Sequence, residues 1–139
     1  MAGTIHDIGK MQVSTEILSK CGKLTELEFD MIKTHSQASY DILKTIEFQW
    51  PIAELALQHH ERIDGSGYPS GLKDESILIE ARILSVVDVV DAIVPHRSYR
   101  PALGIEKAQE EIFDNRDIVY DTDVVDACLS IISGTNVWT

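Results

Sequence analysis

Apolar residues along this chain recur at intervals of three and four, the spacing of one helix face, and no stretch alternates with the period of two that a half-buried strand needs. Thr25-Glu26-Leu27-Glu28 reads as a capping box, in which the Thr25 side chain takes the third amide and Glu28 reaches back. It opens a helix with Leu24, Phe29, Ile32 and His35 near one side, and a second helical run is expected over about 37–46. Pro51 suits a first helical turn, with Ile52, Leu55, Ala56 and His59 following at helical spacing. Residues 64–71 contain three glycines and one proline and read as a loop. The strongest helix covers 79–94, where Ile79, Ile83, Val86, Val87, Val90 and Val94 make one apolar stripe. Pro95 and Pro101 bracket a loop, and two further helices fit 105–113 and 123–132. The fold class is therefore expected to be all-α.

At 139 residues the chain is one domain's worth of sequence, and its 44% hydrophobic and 25% charged residues are those of an ordinary globular protein. The apolar run at Ile83-Leu84-Ser85-Val86-Val87 stops at Asp88, far short of a membrane span. The start carries neither a basic nor an apolar signal region, and Cys21 and Cys128 lack any CxxC spacing, so a cytoplasmic, reducing location is expected. A net charge of −11 argues against DNA, RNA or anionic membrane as partners. A small phosphate-bearing ligand stays possible where metal ions and a few basic side chains supply local positive charge.

Four of the five histidines stand at motif-like positions: His6-Asp7 with Gly9-Lys10 after it, His35, and His59-His60-Glu61 before Gly65-Ser66-Gly67-Tyr68-Pro69. Imidazole and carboxylate are the usual ligands of hydrolytic divalent metals. His6-Asp7 alone is balanced between a ligand pair and an exposed polar start. The pair His59-His60 gains nothing from helix propensity, and one of the two must leave the apolar face, which favours a functional role. Asp88 is either a solvated carboxylate, as Asp91 one turn on would be, or one drawn inward by a cation. Arg97 and Arg100 suit phosphate oxygens equally as well as a solvated surface. Tyr68, in a glycine-rich loop near these groups, could stack on a base or dock a partner.

Taken together, these stretches resemble the HD-GYP branch of the HD phosphohydrolase superfamily. The matching segments are His6-Asp7-Ile8-Gly9-Lys10, Lys33-Thr34-His35, the run from His59-His60-Glu61 to Gly67-Tyr68-Pro69, Ala81-Arg82-Ile83-Leu84 through Asp88 and Asp91-Ala92, and Arg97-Ser98-Tyr99-Arg100-Pro101-Ala102. The resemblance implies an HD-type bundle of about six to seven helices and hydrolysis of cyclic di-GMP, to a linear dinucleotide or on to GMP. It makes His6, Asp7, His35, His59, His60 and Asp88 the ligands of two or three divalent metal ions, iron or manganese. Asp7 and Lys10 become catalytic, and Lys10, Tyr68, Arg97 and Arg100 contact substrate. The Gly67-Tyr68-Pro69 loop becomes a contact for diguanylate cyclase domains.

The chain departs from that pattern in places. Ser14 and Cys21 stand where prolines are usual, and His96 and Ser98 replace the usual aspartate and proline. The family carries helices upstream of the His-Asp pair that supply a further ligand, so 1–139 reads as an HD-GYP domain truncated at its N-terminal side. Two rival readings follow: a catalytically impaired nucleotide-sensing or partner-docking module, and an enzyme acting on another phosphoester.

Overall fold

The computed structural model describes residues 5–20, 22–94 and 101–134, without side-chain detail for 101–103. A 3-10 turn, Ile8–Gln12, is followed by six α-helices among the described residues: α1 (Thr15–Leu18), α2 (Glu26–Leu43), α3 (Ile52–Gln58), α4 (Ile79–Ile93), α5 (Pro101–Asp114) and α6 (Thr122–Gly134). A second 3-10 turn, Asp74–Ser76, precedes α4. Apart from two isolated bridges, Asp64 with Lys73 and Arg116 with Tyr120, the described residues form no strand. The all-α expectation holds. None of the described helices is long and apolar enough to cross a membrane.

The capping box at Thr25 forms as read: Glu28 N donates to Thr25 Oγ1 at 3.1 Å, and Thr25 N donates to the Glu28 carboxylate at 3.0 Å. One expectation is corrected. The two helical runs expected on either side of residue 36 are a single helix, α2, 18 residues long. No proline or glycine interrupts 26–43, so nothing halts propagation. Ser36 and Ser39 are fully buried in α2, and their small side chains let another segment approach closely. That segment is the turn after His6-Asp7, where Gly9 N donates to Ser39 Oγ at 2.8 Å.

Two apolar clusters hold the helices. Leu43, Ile52, Leu55, Ala56, Ile77 and Ala81 join α2, α3 and the start of α4. Val86, Val90, Val94, Ala108, Ile112, Tyr120 and Val125 join the rest of α4 to α5 and α6. Helix α4 belongs to both. Ala81 joins the first cluster, and of the apolar stripe Val86, Val90 and Val94 are buried in the second while Ile79, Ile83 and Val87 stay exposed. The end of α6 nearest α4 is fixed by Asp121, which accepts from Val124 N at 3.1 Å and pairs with Arg82 at 2.6 Å. Helix α4 is thereby held so that its middle, at Ser85 and Asp88, faces Arg62 beyond the exit of α3 and the His6-Asp7 turn.

Candidate metal centre

Four pieces of chain converge there. The first is the turn carrying His6 and Asp7. The second is the middle of α2, where His35 is 1% exposed. The third is the exit of α3, where His59 is 0% exposed and His60 follows. The fourth is Asp88 on α4. The ring centroids of His6 and His59 lie 4.7 Å apart, those of His35 and His60 5.0 Å, and those of His59 and His60 4.0 Å. Two groups of donor atoms result, Asp7-His35-His59-His60 and His6-His59-Asp88, each with all its atoms within 4.8 Å of one another.

The imidazoles are oriented from behind. Both His35 and His59 sit one helical turn beyond a carbonyl that can only accept. His35 Nδ1 donates to Ile32 O at 2.6 Å, and His59 Nδ1 donates to Ala56 O at 2.7 Å. In a neutral ring this leaves Nε2 with a lone pair pointing into the site, the arrangement found behind metal-bound histidines.

Those lone pairs face an acceptor. His35 Nε2 lies 3.1 Å and His59 Nε2 3.2 Å from Asp7 Oδ1. Neither approach has hydrogen-bond geometry, and all three atoms are buried without a hydrogen-bond partner. Unpaired buried polar atoms are costly and rare, so three of them converging need a reason. A cation supplies one. With metal–ligand bonds of about 2.1 Å, neighbouring donors sit about 3.0 Å apart at right angles and about 3.4 Å at the tetrahedral angle. The observed separations match those edges. So do His6 Nε2 to Asp7 Oδ2 at 3.3 Å and His6 Nε2 to Asp88 Oδ1 at 3.5 Å. Asp7 presents one oxygen to His35 and His59 and the other to His6, the disposition of a carboxylate shared between two cations. The residues present fit a divalent metal.

In the metal-free protein, protons on the facing imidazoles take the place a cation would hold. Burial alone would raise the Asp7 carboxyl, but His35, His59, His6 and Lys10, as donors in that state, outweigh it and hold it far below the usual carboxylate range. His6, beside Asp7 and Asp88, is pushed up to about 10, while burial and the neighbouring His59 and His35 push His60 down to about 3. His6 lowers the Asp88 carboxyl in turn. Opposed shifts set the pH behaviour of the metal-free protein. The raised His6 contributes stability fully below its ordinary 6.5, and loses it as pH climbs toward 10. The depressed His60 contributes above 6.5 and loses its share as pH falls toward 3. Asp7 and Asp88 add to the loss below 3.8. Thermal unfolding of chelator-treated protein should therefore give a midpoint that peaks near neutrality and falls on both sides; a midpoint rising steadily into alkali would contradict this.

Of the residues singled out in the sequence, His6, Asp7, Lys10, His35, His59, His60, Tyr68 and Asp88 come together. Lys10 Nζ lies 3.1 Å from Asp7 Oδ2. The Tyr68 ring stacks on His60 at 4.9 Å and 22°. Asp88 turns inward, whereas Asp91 is exposed. Arg97, Arg100 and His96 lie outside the described residues. Sequence reasoning gave no role to Gly9, Ser39 or Glu61, although each braces the site. The first two become visible only when the turn docks on α2, and the third was read as part of a motif and no more.

Comparison with known proteins agrees with this geometry. The HD domain family model matches residues 1–124. The chain belongs to the HD domain family. Among curated relatives, it is 42% identical over 131 residues to the cyclic di-GMP phosphodiesterase response regulator RpfG of Xanthomonas campestris, covering 93% of this chain and 35% of that protein. It is 42% identical over 134 residues to the cyclic di-GMP phosphodiesterase of Thermotoga maritima, covering 94% and 36%. It is also 38% identical over 120 residues to the 3'3'-cGAMP-specific phosphodiesterase 3 of Vibrio cholerae, covering 86% and 26%. The chain thus spans about a quarter to a third of these relatives' length.

Proposed function

We propose that this chain carries a metal-dependent phosphodiesterase site that hydrolyses a cyclic dinucleotide, with cyclic di-GMP as the substrate. The observation that carries the reading is the convergence of Asp7 Oδ1, His35 Nε2 and His59 Nε2, buried and unpaired at coordination-edge distances. The names of the relatives support the substrate class, and their division between cyclic di-GMP and 3'3'-cGAMP makes the identity of the second base the open choice for specificity.

His6, Asp7, His35, His59, His60 and Asp88 would hold two or three divalent ions, for which iron and manganese suit the mixed nitrogen and carboxylate donors. Such ions would supply a Lewis acid for water activation and for the negative charge that grows on the phosphoryl and leaving oxygens. The chain's own residues do the rest. The Ile32 and Ala56 carbonyls keep the His35 and His59 lone pairs aimed inward. Asp7 spans the two donor groups, and the Lys10 ammonium at its edge is placed to donate to a phosphate oxygen during in-line displacement. Tyr68 closes one side of the site against solvent. Arg97 and Arg100 are proposed as further phosphate contacts on their sequence pattern alone. A diguanylate cyclase domain is the proposed partner of the Gly67-Tyr68-Pro69 loop, whose Ser66 and Pro69 are exposed while Tyr68 turns inward.

The test is hydrolysis of cyclic di-GMP and 3'3'-cGAMP, followed by product chromatography before and after chelation and after return of manganese or ferrous iron. Turnover lost on chelation and restored by metal is expected. Undiminished hydrolysis by stripped protein would end the reading, and tight binding without product would favour the sensing module instead.

A further inference from the structure

Glu61 is the third residue of the His59-His60-Glu61 run, and its side chain takes no part in the donor groups. The residue is only 2% exposed. Its two oxygens instead reach across the following loop to two backbone amides. Ser70 N donates to Oε1 at 2.7 Å, and Leu72 N donates to Oε2 at 3.0 Å. Hydrogen bonds from amides to a carboxylate are the stronger kind, and a buried carboxylate needs them. The same loop is held on its inner side by Tyr68 N donating to His60 O at 3.2 Å. Gly67 lies so close to His60 O and Arg62 N that any Cβ there would collide with backbone.

The loop is therefore pinned at both ends of a short arc, inside by the His60 carbonyl and outside by Glu61. Tyr68 carries the inner pin itself, two residues before the first amide that Glu61 holds. Its ring stacks on His60 and meets Phe29 edge-on at 6.3 Å, and Lys33 Nζ lies 5.5 Å from its centroid. Phe29 is on the outer surface and Lys33 half-buried, so this aromatic and cationic edge borders the donor cluster.

We propose that Glu61 is a positioning residue: by clamping the Ser70 and Leu72 amides it fixes Tyr68 as a rigid wall beside His60, on which a nucleobase of the substrate packs while the phosphodiester meets the His/Asp cluster. The inference rests on the cyclic-dinucleotide reading and adds a division of labour to it. The clamp governs base recognition, and the donor cluster governs the phosphodiester.

Glu61→Gln tests it. The amide has one acceptor oxygen, and its NH2 group must oppose one of the two loop N–H groups. With manganese-loaded protein, kcat/KM for cyclic di-GMP should fall by ~10-fold or more, about the loss of one base–aromatic stack, carried chiefly by KM. For bis(p-nitrophenyl) phosphate, a diester without nucleobases, kcat/KM should stay within about two-fold of wild type, and metal per chain should not change. Adding Glu61→Gln to Tyr68→Ala should cost no more than Tyr68→Ala alone, since both remove the same wall. In metal-free protein, amide exchange at 66–72 should quicken in Glu61→Gln while α2 and α4 stay protected. If Glu61→Gln does not fold, Glu61→Asp, too short to reach both amides, replaces it with the same expectations. Proportionate loss with both substrates, loss of metal, multiplying losses in the double variant, or unchanged exchange at 66–72 would each overturn the clamp. A wild-type chain that splits bis(p-nitrophenyl) phosphate but no cyclic dinucleotide would overturn the functional reading and this inference together. An active wild type with any of the four failures overturns the inference alone.

Discussion

Asp7→Ala is expected to empty the centre of metal and to lower cyclic-dinucleotide hydrolysis by at least ~10³-fold, the scale of losing a preorganised electrostatic stabiliser in a buried site. Asp7 is the one carboxylate that touches both donor groups: Oδ1 faces His35 and His59, and Oδ2 faces His6 and Lys10. Removing it leaves the inward lone pairs of His35 and His59 without the negative charge that balances a cation. Asp7→Asn is the sharper variant, because it keeps the shape and loses only the charge. It should retain the fold, as judged by circular dichroism, and still bind metal far more weakly in inductively coupled plasma analysis. Wild-type metal content in Asp7→Asn would show that the imidazoles alone form the site.

Gly9→Ala should have the second-largest effect, on both folding and metal content. A Cβ at Gly9 would sit against His35 O, Ser39 N and Ser39 Oγ. Two of these are backbone atoms of α2, which cannot give way cheaply, and the Gly9 N bond to Ser39 Oγ would be broken as well. Overpacking of this kind costs roughly 1–3 kcal/mol and sometimes more. The displaced turn carries His6 and Asp7 away from His35, so metal should be lost even where folding survives. Urea denaturation with and without added manganese separates the two effects. Wild-type stabilisation by manganese in Gly9→Ala would mean that the turn need not lie against α2.

How far the sequence goes is set by the range of each interaction. Local signals were readable. The capping box at Thr25, the loop at 64–71 and the helical spacing from Ile79 onward depend on neighbours in the chain, and all appear where expected. The division of residues 26–43 into two runs does not hold, since nothing in that stretch halts propagation, and Ser39 faces inward to receive Gly9. The stripe on α4 is read as one face, yet only Val86, Val90 and Val94 enter a core while Ile79, Ile83 and Val87 stay exposed, which only long-range packing determines. At the site, the ligand types and their order were legible from His6 to Asp88. Their geometry was not, because it depends on Nδ1 bonds to the Ile32 and Ala56 carbonyls and on a turn docking 30 residues away along the chain. Asp88 shows the difference most plainly. Its sequence position left it balanced between solvent and site, and the long-range contact with His6 decides it.

The central claim is that these side chains converge on a cation. Anomalous diffraction at the manganese edge, from crystals of the chain grown with that metal, addresses it directly. The account predicts a peak within about 2.0–2.3 Å of Asp7 Oδ1, His35 Nε2 and His59 Nε2, with a second between His6 and Asp88. Density on surface carboxylates alone, with the imidazoles of His35 and His59 bare, would contradict it.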